Sequence, residues 1–211
     1  MTFYERFLKK KPQQSRSRMV VEAILTAALD RASRLGESEA VSVQEVAARA
    51  GVGTASLYDY FKDRGDLLSA ASMKVAQDNL DAFQALLEAC ASVPLSVAIE
   101  SVIDHAFATY ASDPSRSRSL LRLTMRLGLM PTLAQSQARF AASLADALRQ
   151  RPDVHVTDVD SAAWVVTQSM MGIVHTLVWD ASPPDRATLR AAAVEIFTNA
   201  LGGGATTTPQ R

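Results

Sequence analysis

The sequence predicts an all-α protein of about nine helices, in which a short N-terminal helix-turn-helix unit precedes a larger helical region. Apolar residues recur at three- and four-residue steps between Gly and Pro residues. No segment sustains the period-two alternation of a β-strand. In addition, 48% of the 211 residues are hydrophobic and the formal net charge is zero, which excludes disorder along the whole chain. The length suits one or two packed domains.

The first two helices are marked by their apolar spacing and by their end residues. Six apolar residues form the inner face of the first helix: Val21, Ile24, Leu25, Ala28, Ala32 and Leu35. Gly36 then supplies a helix stop. Ser42 and Glu45 form a capping box, in which each side chain satisfies the other residue's backbone N–H, and Gly51 ends the second helix about two turns later.

The third helix is short, and the remaining six are longer. The third helix covers Thr54 to Phe61, with Leu57 one turn before Phe61 on its inner side. The fourth helix ends before Pro94, because proline is tolerated in a first helical turn but not inside a helix. Further helices are predicted near 95–111, 115–128 and 132–150. The eighth helix is capped within 157–160, and the last one is opened by Ser182-Pro-Pro184.

The chain divides into four predicted segments. These are a flexible basic arm over 1–15, a helix-turn-helix domain over 16–66, a larger helical domain over 67–202 and a disordered tail over 203–211. Six basic residues among the first 18 face a single acid, Glu5: Arg6, Lys9, Lys10, Lys11, Arg16 and Arg18. A basic arm before a compact unit is typical of proteins that bind a polyanion such as DNA, although a solubilising tail has the same composition.

Several classes of protein and site are excluded or disfavoured by composition. Cys90 is the single cysteine, which excludes an internal disulfide framework and a Cys-based zinc cluster and agrees with a cytoplasmic protein. The uncharged stretch 161–179 contains six polar residues and lies between two aspartates, so we expect a buried helix there and no membrane span. Helix capping explains the acidic residues between 153 and 160, and we expect no metal and no cofactor.

The second and third helices form a helix-turn-helix pattern. Gly51 allows the sharp turn, and Val52 can pack between the helices. The outer side of the third helix carries small or hydroxylated residues and one acid: Thr54, Ala55, Ser56, Tyr58, Asp59 and Tyr60. Small side chains enter a major groove closely, hydroxyls bond phosphates or base edges, and methyl groups can touch thymine. The third helix is therefore the candidate DNA reader.

Three short motifs between residues 43 and 68 are the most specific part of this region. They are Ala50-Gly-Val, then Leu57-Tyr-x-Tyr-Phe-Lys62, and finally Leu67-Leu68. Together they resemble the helix-turn-helix signature of tetracycline-repressor-type (TetR) regulators. The resemblance covers roughly residues 16–68 and implies a homodimeric transcriptional regulator that binds double-stranded DNA.

The resemblance implies DNA contacts at positions in three parts of the chain. The implied contacts are Arg16, Arg18, Ser42, Gln44, Thr54, Ala55, Ser56, Tyr58, Tyr60, Lys62 and Arg64. Residues 54–56 stand where the family reads bases, and the two tyrosines stand where it grips phosphates. Lys62 and Arg64 stand where basic side chains or a helix start meet the DNA backbone. The other four belong to the entry of the first helix and the start of the second.

Two residues depart from the family pattern. Gly53 replaces the usual Ser-like cap, so the third helix begins less firmly. Asp59 puts an anion on a helix that approaches phosphates, and its carboxylate either accepts from a cytosine amine or points away from DNA. For Tyr58 and Tyr60, packing against Leu57 and the fourth helix is the alternative to phosphate contact. For Lys62 and Arg64, the alternative to DNA contact is a solvated position on the protein surface.

The C-terminal helices offer a surface for dimerisation. A single short reader contacts only a few base pairs, so we expect two readers about 34–36 Å apart on a palindromic operator. The helix around 158–179 is apolar almost all round, and the last helix carries an apolar stripe. Paired with their symmetry mates, the last two helices form a four-helix homodimer interface, which the resemblance also implies. Ordinary packing within the monomer is the alternative.

The middle helices contain aromatic residues, methionines and histidines that suit a pocket. The resemblance implies an apolar effector cavity there, and flexible methionines suit a bulky hydrophobic ligand. Nine residues are the candidates: Phe83, His105, Phe107, Met125, Leu129, Trp164, Met170, Met171 and His175. Any of them can instead be core, and for the two histidines core or interface positions are favoured.

The predicted function is a ligand-responsive transcriptional regulator, a repressor that a small, largely hydrophobic effector releases from its operator. The sequence has no phosphate-binding glycine loop, no H-E-x-x-H, no G-x-S-x-G and no Cys-centred triad, so we expect no enzyme. An all-helical enzyme or small-molecule carrier without DNA binding is the alternative. A DNA-binding dimer without an effector is the third possibility.

Overall fold

The computed structural model describes residues 2–34, 41–180 and 182–202, and it confirms the prediction of an all-α protein. Within those residues there are nine α-helices and no strand. Their bounds are α1 Ser15–Ser33, α2 Val43–Ala50, α3 Thr54–Tyr60, α4 Arg64–Ala89, α5 Leu95–Ala106, α6 Pro114–Arg126, α7 Met130–Arg149, α8 Val159–Trp179 and α9 Arg186–Gly202. A 3₁₀ turn, Glu5–Phe7, precedes α1, and a π-helical turn, Phe107–Ala111, continues α5.

Two helix starts follow the capping signals in the sequence. Ser42 Oγ accepts the backbone N–H of Glu45 at 3.3 Å, which is half of the predicted capping box. The Glu45 carboxylate instead accepts from Arg31 Nε at 2.6 Å, and so ties α2 to α1. At α8, Asp158 Oδ1 accepts the N–H of Ser161 at 3.1 Å. Both caps satisfy backbone donors that the first helical turn leaves unpaired.

One predicted helix start is wrong, and two other predictions concern residues outside the described part of the chain. The last helix does not open at Ser182-Pro-Pro184 but at Arg186, because Asp185 Oδ2 accepts the N–H of Thr188 at 2.8 Å and thereby caps it. The helix stop at Gly36 and the tail over 203–211 lie outside the described residues.

The chain forms two compact units. The first comprises Met1–Asn79 and Ser115–Ser136, and the second comprises Leu80–Pro114 and Gln137–Arg211. This division differs from the predicted boundary between residues 66 and 67. The first unit includes nearly all of α6, and Leu123 of α6 and the following Leu127 pack against its core.

The core of the first unit gathers one or more buried residues from each of the first four helices. Ile24, Val46 and Leu57 are fully buried, as are Phe61 and Leu67, which follow α3 in the chain. The charged residues lie around this core: Arg49 Nη2 is 2.7 Å from Asp30 Oδ2, a second link between α1 and α2. The short helices α2 and α3 thus owe their position to packing, as expected of helices too short to be stable alone.

Part of the segment predicted as a flexible arm over 1–15 packs against the first unit. Phe3 is buried, with only 5% of its surface exposed. Tyr4, Phe7 and Leu8 are partly buried against the core of the first unit. These four apolar side chains remove enough surface from water to dock the segment, which the count of basic residues alone did not reveal.

The second unit has its own core, built from α5, α8, α9 and the C-terminal parts of α4 and α7. Ile103 and Ala163 are fully buried within it, and Met170 and Phe197 are nearly so. Arg190 of α9 donates from Nε to Asp104 Oδ1 of α5 at 2.6 Å, which ties these two helices together at the surface. No helix among the described residues combines the length and the apolar content needed to cross a membrane.

Candidate functional site

The turn between α2 and α3 has the geometry of a helix-turn-helix. Gly51 has a φ of 69°, in the left-handed region that favours glycine, and its N–H donates to the Ala48 carbonyl at 3.2 Å. The next N–H, that of Val52, donates to the Ala47 carbonyl at 3.0 Å, and its side chain packs against the core. The chain therefore reverses within a few residues, and α3 packs against α2.

Helix α3 has a buried side and a polar open side. Leu57 and the following Phe61 are 0% exposed and hold the helix to the core. On the open side Ala55, Tyr58 and Asp59 are exposed, while Thr54, Ser56 and Tyr60 are half-buried. Gly53 caps the helix without a side-chain hydrogen bond, as its lack of a side chain requires. Small and hydroxylated groups thus face outward along one short rod.

The other positions implied for DNA contact lie in the same unit. Gln44 is exposed on the first turn of α2, and Ser42 Oγ donates to its side-chain Oε1 at 3.1 Å. Lys62 and Arg64 are exposed on either side of the α4 start, and so are Arg16 and Arg18 at the entry of α1. Asp59 is exposed as well, which leaves both of its predicted orientations open.

A cleft of about 590 Å³ lies in the second unit. It is lined by residues of α4, α5, α7, α8 and α9, and its apolar lining consists of Leu87, Leu95, Ile99, Val102, Ile103, Leu144, Leu148, Val166, Met170, Phe197 and Leu201. Exposed polar residues, Gln84, Glu88, Asp146 and Gln150, stand among the lining residues. The volume and the apolar character suit a small organic molecule.

Arg151, whose side chain is largely shielded from solvent, lines the cleft and has its donors engaged. The Arg151 guanidinium donates to Asp153 Oδ1 and Oδ2 at 3.0 and 2.9 Å, and to the carbonyls of Cys90 and Val93 at 2.9 and 2.6 Å. These hydrogen bonds lower the pKa of the Asp153 carboxyl below its usual value. Asp153 Oδ2 also accepts the N–H of Leu95 at 2.8 Å, so the network fixes the start of α5.

The structure does not gather the nine predicted effector residues into one pocket. Met170 lines the cleft, and Phe83 and Phe107 are buried in the core beside it. Met125 and Leu129 belong to the first unit. Trp164 and His175 are exposed on α8, and His105 and Met171 are half-buried. Residue type shows that a side chain is suited to a pocket but not which way its helix turns it.

Several large apolar side chains of α8 and α9 are exposed among polar ones. Trp164 and Val165 are 57% and 53% exposed, Trp179 is 39% exposed, and Ile196 of α9 is 61% exposed. On α8 the exposed tryptophans are separated by about four turns, with Gly172 exposed between them. These side chains are candidates for an interaction surface.

Two features of the structure were not predicted from the sequence. The leucines and isoleucines of α5 and α7 that line the cleft looked like ordinary core residues, and only their helical spacing marked them in the sequence. Lys9, counted as one charge of a basic arm, donates from Nζ to the Tyr58 carbonyl at 2.8 Å. The apolar cluster over residues 3–8 was the available signal that this segment packs.

Comparisons with known proteins agree with the geometry. Residues 94–201 match the family model described as the tetracyclin repressor-like C-terminal domain, and residues 24–71 match that of bacterial regulatory proteins of the tetR family. Comparison with curated sequences gives no significant match.

Several solved structures share the fold. A protein from Mesorhizobium loti described as a TetR-family transcriptional regulator superposes with a TM-score of 0.75 at 20% identity, over 90% of this chain and 100% of that one. NalD, the secondary repressor of the MexAB-OprM multidrug efflux pump in Pseudomonas aeruginosa, gives 0.58 at 18% identity, over 89% and 99%. The fatty acid degradation regulator FadR from Bacillus halodurans gives 0.62 at 16% identity, over 89% and 97%.

Proposed function

Because the chain belongs to the TetR family of transcriptional regulators, we propose that it is a homodimeric repressor that binds a palindromic operator and leaves it when a small hydrophobic effector binds. The family supplies the coarse role: a DNA-binding helix-turn-helix domain joined to a ligand-binding domain. The observation that carries the finer proposal is the open, polar side of α3 on a helix whose inner side is fully buried.

Helix α3 is the proposed reader of base edges. Its N-terminal residues Thr54, Ala55 and Ser56 are small enough to let the helix enter a major groove, and two of them carry hydroxyls that can bond to bases. Tyr58 and Tyr60 are proposed to bond phosphates. Because Leu57 and Phe61 anchor the helix from behind, its side chains meet the groove with little loss of conformational freedom.

Cationic residues on both sides of the reader are proposed to hold the DNA backbone. Lys62 and Arg64 are exposed just after α3, and Arg16 and Arg18 are exposed at the entry of α1. Ser42 and Gln44 present polar groups from the start of α2. Contacts of this kind fix register and contribute salt-dependent affinity, whereas the α3 contacts set the preferred sequence.

The proposed dimer forms through α8 and α9. Their exposed Trp164, Val165 and Ile196 present an apolar face that water covers in the single chain. A second copy related by a twofold axis places the same face opposite itself, which buries both at once. It also provides two readers for the two half-sites of a palindrome.

The cleft of the second unit is the proposed effector site. Its lining is apolar and includes Met170, whose flexible side chain can adjust to ligands of different shape. The solved structures with a similar fold include the multidrug binding protein EbrR and the fatty acid degradation regulator FadR from Bacillus halodurans, and both descriptions agree with a hydrophobic effector. An effector releases DNA only if it prefers the conformation that DNA disfavours, and linkage then requires that DNA weaken effector binding by the same factor. Such a regulator works where DNA is, in the cytoplasm.

Selection of duplexes from a random library with the purified full-length chain tests the proposal. We expect a palindromic sequence whose affinity falls linearly with the logarithm of salt concentration. A footprint on one half-site only, or binding without salt dependence, would contradict the dimeric reader.

The effector site has a test of its own. We expect the neutral dye Nile red to bind the chain and to be excluded by Ile99→Trp, which fills the cleft from α5, whereas Val97→Trp on the exposed side of the same helix leaves dye binding unchanged. Equal binding by the two variants would place the dye outside the cleft.

A further inference from the structure

The C-terminal end of α3 is held by the segment that precedes α1. The last four carbonyls of a helix have no partner within it, and in a seven-residue helix they are more than half of the total. Lys9 supplies partners for two of them. Its backbone N–H donates to the Tyr60 carbonyl at 2.8 Å, and its ammonium donates to the Tyr58 carbonyl at 2.8 Å. The positive charge also lies at the helix end that favours cations.

The same segment is anchored at other points of the first unit. Residues 2–9, here called the strap, bury Phe3 in the core. The Phe3 N–H donates to Gln77 Oε1 of α4 at 3.2 Å, and Arg6 Nη2 donates to Thr132 Oγ1 of α7. The Arg6 guanidinium also lies 4.8 Å from the centroid of the Phe7 ring, which stiffens the strap itself. The strap thus connects α4 and the first turn of α7 to the end of α3.

We propose that Lys9 is a positioning residue for operator binding, which holds α3 in its reading orientation through the strap. This role rests on the proposed function of α3 as the DNA reader. It differs from the ordinary role of a lysine in a basic arm, because an ammonium that bonds a backbone carbonyl is directed to the protein and not to a phosphate.

Lys9→Met tests this role, because methionine keeps the aliphatic stem and removes the ammonium. Lys10→Met is the matched control: it removes the same charge one residue later, from an exposed side chain. On the palindromic duplex recovered by selection, we expect Lys9→Met to weaken binding about three- to tenfold, the effect of one hydrogen bond. The slope of affinity against salt should be the same for both variants. Lys9→Arg should restore most of the affinity, since arginine can donate to the same carbonyl.

Amide hydrogen exchange on the free chain provides a readout without DNA. We expect Lys9→Met to speed exchange of residues 57–61 about three- to tenfold relative to Lys10→Met, with the amides of α1 and α2 unchanged. An increase spread equally over α1, α2 and α3 would overturn the positioning role, since it would report general destabilisation.

The DNA measurements can contradict the proposal in two ways. If Lys9→Met and Lys10→Met lose the same affinity, or if Lys9→Met alone flattens the salt slope by about one unit per contact, then Lys9 acts as a phosphate contact and not as a positioning residue. Absence of salt-sensitive binding by the unmodified chain would instead overturn the proposed function, and the exchange data would still show whether Lys9 holds α3.

Discussion

Helices α3 and α8 each leave one side exposed, but only the exposed side of α8 carries tryptophans and a valine among its polar residues. On α3 the open side carries small and hydroxylated residues, which water solvates at little cost. On α8 it carries Trp164 and Val165, more than half exposed, beside Ile196 of α9. Exposed apolar surface costs about 25 cal/mol per Å² relative to burial. The first side can therefore gain and lose a polar partner, whereas the second favours a lasting one.

The two helices also differ in what holds them. Helix α3 has seven residues and depends on Leu57, on Phe61 and on a partner for its last carbonyls. Helix α8 has 21 residues and buries seven of them in its own unit. A short helix held by a few contacts can change its orientation when one contact is lost, whereas a long helix with many buried residues keeps its orientation.

Removing an anchor of α3 should have the largest effect. Phe61→Ala empties a fully buried site, and we expect the free energy of unfolding to fall by about 3–5 kcal/mol in urea denaturation. Tyr58→Ala is the control from the open side of the same helix, where 42% of the side chain is exposed, and it should cost less than about 1 kcal/mol. Similar losses in both variants would mean that α3 has no single buried side.

Placing a charge on the open side of α8 should break the proposed dimer. We expect Trp164→Glu to weaken self-association at least about 100-fold in sedimentation velocity, because the charge would be buried without a partner. Val97→Glu adds the same charge at another exposed apolar position, 45% exposed on α5, and should leave association unchanged. A dimer that survives the first change but not the second would move the interface away from α8.

The two classes of DNA contact should separate on salt titration. Lys62→Met should weaken binding to all duplexes by roughly tenfold and reduce the salt slope by about one unit for each lost contact. Ser56→Ala should change the preference among operators, by about 1–3 kcal/mol for a lost base contact, and leave the slope unchanged. The opposite pattern would show that the register of α3 on DNA differs from the one proposed.

The smallest expected effect concerns a surface ion pair of the second unit. Hydrogen bonds from Arg190 lower the pKa of the Asp104 carboxyl below its ordinary value of 3.8. A carboxyl with a lowered folded-state pKa adds stability that is present above the unfolded pKa and is lost as the pH falls through the folded one. We therefore expect Arg190→Met to be less stable at neutral pH, with the difference shrinking below about pH 4. A difference that is constant over this range would point to lost packing of the arginine stem.

Local rules made the helix-turn-helix predictable. Ser42, Gly51 and Leu57 each act through neighbours within a few residues, so their roles follow from spacing alone, and the fold class followed from the same reasoning. The signals of the second unit were of a different kind. Trp164 and His175 were assigned to a pocket by residue type, yet both face outward on α8. Which face of a helix meets a distant helix is decided by tertiary packing, and periodicity alone does not determine it.

The packing of the N-terminal strap also could not be predicted from sequence periodicity. Its four apolar residues between Phe3 and Leu8 are too few for a period, and the lysines beside them dominate the composition. The segment is held by the core of the first unit and by hydrogen bonds to Gln77, Thr132 and the end of α3, all of which are distant in the sequence. Such contacts join positions up to 126 residues apart in the chain.

The π-helical turn at Phe107–Ala111 bears on how this chain should be aligned with its relatives. A π turn holds one more residue than the α-helical turn it replaces, so it marks the place of a single-residue insertion. A relative with one residue fewer there would continue α5 as regular helix, and the gap between the two sequences belongs inside 107–111, not in a loop. Placing the gap outside the turn would pair the residues between it and the turn with residues one position away, about 100° around the helix axis.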